Sequence, residues 1–366
     1  MIGTRNWAPS LLFVIVFVAC RSYGGTAVGD DTFIYLQYVR NVLAGHGYTF
    51  NAGEQSFGVT SPAWVFLMTP IAAMFGNGIE TWRAASSALL AGGVAIVFAM
   101  GNRMGLSLPW ALALAVIAAL EPHTFRWSSS GMENGLLAFM LVSTAALHLK
   151  ASDGADRRAA CGFGISTGLL PFVRPELAIL SFALLWTHRQ SIALVAAAGS
   201  LVAGAALTYL AFGSLVPQTA LAKAIALHQT DRLYGAKQAI VIILTGCAPL
   251  LALVAIVSRC RLTQWALASG ATVAASIAYL SWVNQLVSTR YASYLCYPVV
   301  VSAVLLSATK LRQNHSALRL LLAAQAVAAL AVMLYIFPAT RASETTDIHH
   351  FSEKVKALRL LTPGSH

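Results

Sequence analysis

The stretch GDDTFIYLQYVRNVLAGHGYTFNAGEQSFGVTSPAW, residues 29–64, places two aspartates side by side just after the first apolar run of the chain. Charged residues make up only 10% of the sequence, so Asp30 and Asp31 stand out. Either could cap a helix that begins here, because a carboxylate accepts hydrogen bonds from the free N–H groups of a first turn. Alternatively, the pair belongs to a functional site at the membrane surface. The spacing alone leaves both interpretations open.

The same stretch predicts an amphipathic helix over residues 30–44, with a polar stripe on one side and apolar residues opposite. The stripe consists of Asp30, Gln37 and Asn41, and the apolar side of Leu36, Val39 and Leu43. Such a helix is expected to lie in the membrane interface, with its apolar side on the membrane and its stripe facing a cavity. Three glycines then predict a hairpin-like loop that ends at Thr60.

Most of the remaining sequence is apolar. The 366 residues are 58% hydrophobic, with a mean hydropathy of +0.70, which excludes an ordinary soluble globular protein. Apolar segments of roughly 15 to 22 residues recur, each long enough or nearly so to cross a bilayer as a helix. The composition predicts an all-α, polytopic membrane helical bundle. Its apolar segments are 7–22, 61–76, 83–100, 107–121, 133–149, 159–171, 175–187, 190–212, 236–257, 263–282, 291–308 and 317–337.

These segments predict one transmembrane domain over residues 1–337, with an outer loop over residues 23–60 and a polar tail over residues 338–366. The first segment is followed by a charged loop without a cleavage site of the A-x-A type, so we expect it to be a retained span.

The basic residues predict which loops are cytoplasmic, and this explains the net charge of +11 without nucleic acid. If every segment crossed, the basic loop 150–158 would lie outside, against the positive-inside bias. Segment 61–76 is therefore expected not to cross, because it is short and carries Pro70 in its middle. The prediction is about eleven spans plus one helix at the outer surface of the inner membrane.

With this topology, the acidic residues collect on one side of the membrane. Eleven of the thirteen Asp and Glu residues, all except Asp153 and Asp156, lie outside or at the outer interface. Acidic residues contribute little to orientation, so this segregation is not the positive-inside rule restated. It indicates chemistry on the outer face.

Two further motifs place ionisable residues beside apolar segments. Glu133 in EPHTFRWSSSGMENG, residues 121–135, begins a helix, where it either belongs to a site or only stabilises the helix N-terminus. Arg174 and Glu176 interrupt the apolar LLPFVRPEL, residues 169–177. Ionisable groups at membrane depth are costly, so they predict a site, with a purely structural Arg–Glu pair as the alternative.

Two later motifs carry cations. Lys223 ends FGSLVPQTALAK, residues 212–223, and Arg290 lies in STRYASYLCYP, residues 288–298. Each could bind a phosphate group. Alternatively, Lys223 extends to the interface only to reach water, and Arg290 binds a lipid head group.

Together, carboxylates and cations on the outer face match the needs of sugar transfer from a lipid phosphate. A carboxylate takes the proton from the acceptor hydroxyl while the anomeric carbon gains oxocarbenium character, and cations stabilise the departing phosphate. One alternative is a transporter or flippase for a lipid-linked sugar, with the intramembrane charges as its path. Another is an inactive relative that only binds such a lipid.

Five motifs, in this order, resemble those of the GT-C superfamily of integral-membrane glycosyltransferases that use polyprenyl-phosphate sugars. They are DDTFIYLQYVRNVLAGHGYTFNAGEQSFGVTSPAW, SSSGMENGLLAF, GLLPFVRPELAIL, GSLVPQTALAK and RYASYLCYP. The sequence resembles the mycobacterial arabinofuranosyltransferases and, more distantly, the protein O-mannosyltransferases and the lipid A aminoarabinose transferases. The resemblance implies a GT-C type bundle and transfer with inversion at the anomeric carbon.

The resemblance also implies roles for individual residues. Asp30 would be the catalytic base, with Asp31 beside it and Glu133 as the second carboxylate of the site. The residues implied to bind the donor phosphate are Lys223, Arg290 and Arg174. Those implied to line the cavity are Gln37, Asn41, Glu54, Glu176, Gln218 and Tyr291.

The sequence departs from the family pattern at two positions. Phe57 lies in GEQSFGVTSPAW where members often carry an acid, and Gln218 lies where Asn is common. The implied partners are a polyprenyl-phosphate sugar, a glycan, lipid or protein acceptor of the cell envelope, and the lipid bilayer, with no nucleic acid. The acidic pair could bind a divalent cation, but no third ligand is predicted, so no cofactor is assigned.

Overall fold

The computed structural model describes residues 7–23, 28, 30–152, 156–188, 190–218, 233–257, 263–283, 291–310 and 316–336. In this part of the chain the structure is an α-helical bundle, and its β-type pairing is limited to an isolated antiparallel bridge between Thr49 and Gln55. The predicted all-α class is therefore confirmed. The tail predicted over residues 338–366 lies outside the described residues.

Fourteen α-helices follow one another in these residues, and each predicted apolar segment overlaps one of them. They are α1 (Ala8–Tyr23), α2 (Asp30–Leu43), α3 (Pro62–Phe75), α4 (Ile79–Arg103), α5 (Leu108–Ala119), α6 (Pro122–Ser128), α7 (Asn134–Ser152), α8 (Arg157–Val173), α9 (Ala178–His188), α10 (Ser191–Phe212), α11 (Tyr234–Val257), α12 (Thr263–Val283), α13 (Ala292–Lys310) and α14 (Ser316–Ala331). A 3-10 turn over Pro175–Leu177 precedes α9, and a π-helical turn over Val332–Ile336 continues α14.

Several of these helices can cross a membrane. By length and apolar composition, four described helices qualify, namely α4, α7, α10 and the Tyr234–Ala252 part of α11. Helices α5 and α6 make a fifth crossing if they form one span, bent by 65°. Shorter apolar helices of 10–17 residues pack beside them. The chain is a multi-pass membrane protein, while the number of about eleven spans stays a prediction.

One end of the bundle, which we call the basic end, holds the end of α4, the last turn of α7 and the residue just before α10. Arg103 at the end of α4 and Lys150 in the last turn of α7 line one cavity there. Gln190, just before α10, donates a hydrogen bond of 3.0 Å to the carbonyl oxygen of Ala151 at the same end. The opposite end, which we call the loop end, holds α2, α3 and the loop between them.

Helix α3 remains at the loop end. Thr60, just before this helix, has its hydroxyl 3.4 Å from that of Tyr35, and Asn77, just after it, donates to the Leu36 carbonyl oxygen over 3.0 Å. The residues on either side of α3 therefore contact the same turn of α2. Its 14 residues extend about 21 Å, less than the hydrocarbon thickness of about 30 Å. That this segment does not cross the membrane stays a prediction.

Helix α2 confirms the predicted helix, but its buried side differs from the prediction. Tyr35, Tyr38 and Val39 are 2%, 0% and 0% exposed. The expectation that Val39 rests on the membrane is wrong, because this side of α2 packs into the protein core. The loop that follows α2 folds back onto it, and the Gly58 N–H donates to the Tyr38 hydroxyl over 2.8 Å.

Helix α8 packs closely on α10 through two glycines one turn apart. A Cβ atom at Gly164 would overlap the carbonyl oxygen of Ala193, and one at Gly168 would overlap that of Ala197. Small residues at i and i+4 let membrane helices approach backbone to backbone. This packing fixes the position of the end of α8, where Arg174 follows.

Candidate functional site

Two residues of opposite charge meet in the interior of the loop end. Nη1 of Arg174 donates a hydrogen bond to Oε1 of Glu133 over 2.7 Å, and the two side chains are only 6% and 3% exposed. Burying an ion pair costs free energy unless good geometry and further hydrogen bonds compensate. This pair is the centre of the candidate site.

Tyr35 and Thr60 complete the polar environment of the pair. The Tyr35 hydroxyl donates to Oε2 of Glu133 over 3.2 Å, and the Thr60 hydroxyl lies 3.4 Å from both the Tyr35 hydroxyl and Nη1 of Arg174. Burial raises the pKa of Tyr35 well above its ordinary value, and the carboxylates of Glu133 and Asp31 add to the rise. The phenol therefore stays protonated and keeps donating to Glu133.

Glu176 and two tyrosines flank Arg174. Oε2 of Glu176 is 3.5 Å from Nε of Arg174, and neither atom has a hydrogen-bond partner among the described residues. The guanidinium carbon lies 5.3 Å from the ring centre of Tyr291 and 5.0 Å from that of Tyr294, within range of cation–π attraction. Arg174 thus has one short ion pair, one long ion pair and two aromatic neighbours.

Pro175 determines how the backbone presents Arg174. A residue before proline is pushed out of the helical region, and Arg174 has extended φ and ψ of −153° and 127° at the end of α8. The 3-10 turn that begins at Pro175 then places Glu176 near the same guanidinium. The Arg-Pro-Glu order of the sequence is the local cause of this geometry.

The loop that ends in Glu133 is held by polar side chains of α4. Nε of Arg83 donates to the Ser129 carbonyl oxygen over 2.9 Å, and the Ser86 hydroxyl donates to the Met132 carbonyl oxygen over 2.6 Å. These bonds satisfy buried backbone acceptors that would otherwise be left without partners. They fix the backbone just before the catalytic candidate Glu133.

Gly131 lets this loop pass close to α2 and α3. Its φ of 89° lies in the left-handed region that favours glycine. A Cβ atom there would crowd the side chain of Thr32, and the Gly131 carbonyl oxygen accepts a hydrogen bond of 3.3 Å from Nε1 of Trp64. Close packing therefore requires glycine at this position of the loop.

Some of the predicted site residues meet in one cluster around the Glu133–Arg174 pair. This cluster contains Glu133, Arg174, Glu176 and Tyr291. Asp31 lies near it, because its side chain is half-buried and its charge acts on Tyr35. The side chain of Asp30 lies outside the described part of the chain, and so do Lys223 and Arg290. The roles of these residues stay predictions.

Gln37 and Asn41 bind the loop after α2. Nδ2 of Asn41 donates to the carbonyl oxygens of Thr49 and Phe50, over 2.9 Å each. Nε2 of Gln37 donates to the Phe50 carbonyl oxygen over 3.1 Å. In this structure, both amides stabilise the predicted hairpin-like loop.

Glu54 and Gln218 have exposed side chains at the loop end. Oε2 of Glu54 accepts a hydrogen bond of 2.9 Å from Asn51. The Gln218 backbone N–H donates to the Phe57 carbonyl oxygen over 2.8 Å. The Phe57 ring stacks on Phe212, with ring centres 4.6 Å apart. The apolar ring of Phe57 therefore packs the loop against the end of α10.

The sequence patterns missed three residues of the cluster, Tyr35, Thr60 and Tyr294. Tyr35 follows Asp31 by four residues, a spacing that places both on one side of a helix. The stripe through Asp31 and Tyr35, rather than the one through Asp30, Gln37 and Asn41, therefore marks the cluster. Tyr294 is one turn after Tyr291 in the motif that supplied Arg290.

The geometry separates the roles of the described carboxylates. Glu133 is buried and both of its oxygens already accept hydrogen bonds, so it orients and neutralises Arg174. Asp31 is half-buried and hence more accessible to a substrate hydroxyl. In the described residues, no three His, Cys, Asp or Glu side chains are arranged to hold a metal ion.

Comparison with known proteins supports the resemblance drawn from the motifs. No family model matches the chain. Over 246 residues the chain is 31% identical to the terminal beta-(1->2)-arabinofuranosyltransferase of Mycobacterium tuberculosis, an alignment that covers 61% of this chain and 39% of that protein. The chain therefore spans about two fifths of the length of this curated relative.

The fold is similar to that of a solved membrane protein. The crystal structure of ArnT from Cupriavidus metallidurans bound to undecaprenyl phosphate superposes with a TM-score of 0.60 and 16% sequence identity. The match covers 84% of this chain and 61% of that one. The architecture is the GT-C fold.

Proposed function

We propose that this chain, which has the GT-C fold of integral-membrane glycosyltransferases, transfers a sugar from a polyprenyl-phosphate-linked donor to an acceptor of the cell envelope. The site faces the outer side of the inner membrane. The observation that carries this proposal is the buried Glu133–Arg174 pair with Asp31 close by. The undecaprenyl phosphate bound to ArnT, and the arabinofuranosyltransferase activity for which the mycobacterial relative is named, support it.

A buried ion pair of this kind indicates a functional role rather than a stabilising one. An apolar pair of similar volume would often stabilise a membrane protein interior as well or better. Ionisable groups at membrane depth are therefore retained where they serve a substrate path or a reaction. Here, the pair lies at the end of the bundle that also carries the aspartate motif.

In the proposed reaction, Asp30, with Asp31 beside it, removes the proton from the acceptor hydroxyl. The oxygen then attacks the anomeric carbon from the side opposite the phosphate, so the bond to the phosphate breaks with inversion. A base near the reacting hydroxyl contributes typically 10²–10⁴-fold to such a rate. Lys223 and Arg290 stabilise the phosphate that leaves.

Arg174 holds Glu133 in place through their ion pair, and it can also reach a phosphate. Its Nε atom lies 3.5 Å from Oε2 of Glu176 and has no hydrogen-bond partner in the described part of the chain. A phosphate oxygen of the donor lipid replaces Glu176 at this atom, because a guanidinium binds phosphate with charge-assisted hydrogen bonds. Gln37, Asn41, Glu54, Gln218 and Tyr291 complete the proposed walls of the cavity.

The proposal is tested with the purified protein in proteoliposomes that contain labelled polyprenyl-phosphate sugars. A transferase consumes the donor and forms free polyprenyl phosphate together with a glycosylated acceptor. A transporter or flippase moves the intact lipid-linked sugar between leaflets and leaves its phosphate–sugar bond unbroken. Intact donor together with leaflet exchange would contradict the proposed reaction.

A further inference from the structure

A cavity lies at the basic end of the bundle, far from the Glu133–Arg174 pair. Its volume is about 640 Å³, and it lies between the last turns of α4 and of α7. Ala99 and Arg103 of its lining are exposed, so the cavity opens to the outside of the bundle. The apolar walls include Ile96, Ala99, Met100 and Leu149.

Two cations lie at one edge of these apolar walls. Arg103 is the last residue of α4, and Lys150 is in the last turn of α7. Lipid tails prefer the apolar walls, while a phosphate at membrane-surface depth is attracted by both cations. The lining therefore has the two parts, one apolar and one basic, that an amphipathic anion needs.

The cavity is separate from the proposed donor site. Helix α4 has 25 residues, a length of about 37 Å, and its first turns hold the Glu133 loop while its last turn lines the cavity. The two regions are therefore at opposite membrane surfaces. The phosphate of a donor bound at the loop end therefore lies at the membrane surface opposite this cavity.

We propose that this cavity binds an anionic phospholipid from the leaflet opposite the candidate site. The phosphate lies between Arg103 and Lys150, and the upper part of one acyl chain packs on the walls formed by α4 and α7. Basic pockets between membrane helices are suited to anionic head groups. The volume fits the range for small-molecule pockets, about 300–1,000 Å³, which holds a head group and part of a chain.

The proposal is tested by native mass spectrometry of the detergent-purified protein, titrated with phosphatidylglycerol or with phosphatidylcholine of the same acyl chains. The wild type is expected to retain phosphatidylglycerol at lower lipid concentration than phosphatidylcholine. The Arg103→Gln/Lys150→Gln variant should bind phosphatidylglycerol about 25-fold more weakly, since each cation near an anionic lipid contributes about fivefold.

Two further variants distinguish lipid binding in the cavity from general attraction to surface charge. Arg157→Gln/Arg158→Gln removes two exposed cations at the same end, outside the cavity, and should leave phosphatidylglycerol binding unchanged. Ala99→Trp keeps both cations but fills the cavity, and should abolish the tight binding. Equal retention of the two lipids by the wild type, or equal losses in both double variants, would overturn the proposal.

Discussion

Nη1 of Arg174 lies 2.7 Å from Oε1 of Glu133, although the two residues are 41 positions apart in the sequence. The contact joins the end of α8 to the residue just before α7. It brings together two motifs, each of which taken alone allows both a functional and a purely structural interpretation. Because both side chains are buried, each one's charge is compensated mainly by the other and by Tyr35 and Glu176.

Removing one member of this pair should destabilise the protein. Arg174→Met leaves Glu133 as a buried charge that lacks its main partner, and such a loss costs about 3–5 kcal/mol. The double variant Arg174→Met/Glu133→Leu should recover much of that stability but no turnover. Thermal unfolding in detergent, measured beside donor consumption, separates the two effects. A double variant that turns over normally would show that the pair is only structural.

Tyr35→Phe should lower turnover by removing a donor to Glu133. A hydrogen bond to a charged acceptor contributes about 1.5–3 kcal/mol, so a loss of roughly ten- to a hundredfold is expected. Because the raised pKa of Tyr35 keeps the phenol protonated, the loss should be the same at pH of about 6 and about 9. A defect confined to alkaline pH would contradict this role. Tyr209→Phe, at an exposed tyrosine of α10, is the matched control.

The close packing of α8 on α10 should be sensitive to a single methyl group. In Gly168→Ala the new Cβ overlaps the Ala197 carbonyl oxygen, and overpacking of this kind costs about 1–3 kcal/mol. Since α8 ends beside Arg174, donor turnover should fall along with the unfolding temperature.

Gly199→Ala is the control for that change. Gly199 is also in a packed helix, α10, but a Cβ there meets no atom within 4 Å. Helix propensity alone predicts no loss, and up to about 1 kcal/mol of added stability. Equal destabilisation by the two variants would mean that the α8–α10 contact is not as close as the structure has it.

The position of the loop that ends in Glu133 should depend on the Ser86 hydroxyl. Its hydroxyl donates to the Met132 carbonyl oxygen over 2.6 Å, and Ser86→Ala leaves that buried acceptor without this donor, at a cost of about 1–3 kcal/mol. Turnover should fall, while the apparent affinity for the donor should change less. The reason is that the substitution displaces the Glu133 carboxylate rather than the part of the site that binds the donor phosphate. An unchanged turnover would place Glu133 outside the reaction.

The helices could be predicted from the sequence because apolar segments of membrane length are bounded by charges, prolines and glycines. The hairpin-like loop was likewise indicated by Gly45, Gly47 and Gly53, whose φ values are positive. The short helix α6 was not predicted, since its seven residues carry no periodic signal.

The pairing within the site could not be predicted in the same way. Nothing local in the sequence links Arg174 to Glu133, because their contact depends on the packing of α7, α8 and α4. The buried side of α2 was misassigned at Val39, since an apolar residue fits lipid and protein core equally well. Only the fold of the following loop over Tyr38 shows that protein covers this side.

The role of the aspartate pair is tested by measuring donor turnover by the purified wild type beside Asp30→Asn and Asp31→Asn, with a panel of labelled polyprenyl-phosphate sugars. Asn caps a helix about as well as Asp, so these changes remove the carboxylate while keeping any capping role. The wild type should consume at least one donor, and Asp30→Asn should lose this turnover without losing thermal stability. Full turnover of that donor by Asp30→Asn would contradict the assignment of the base to Asp30.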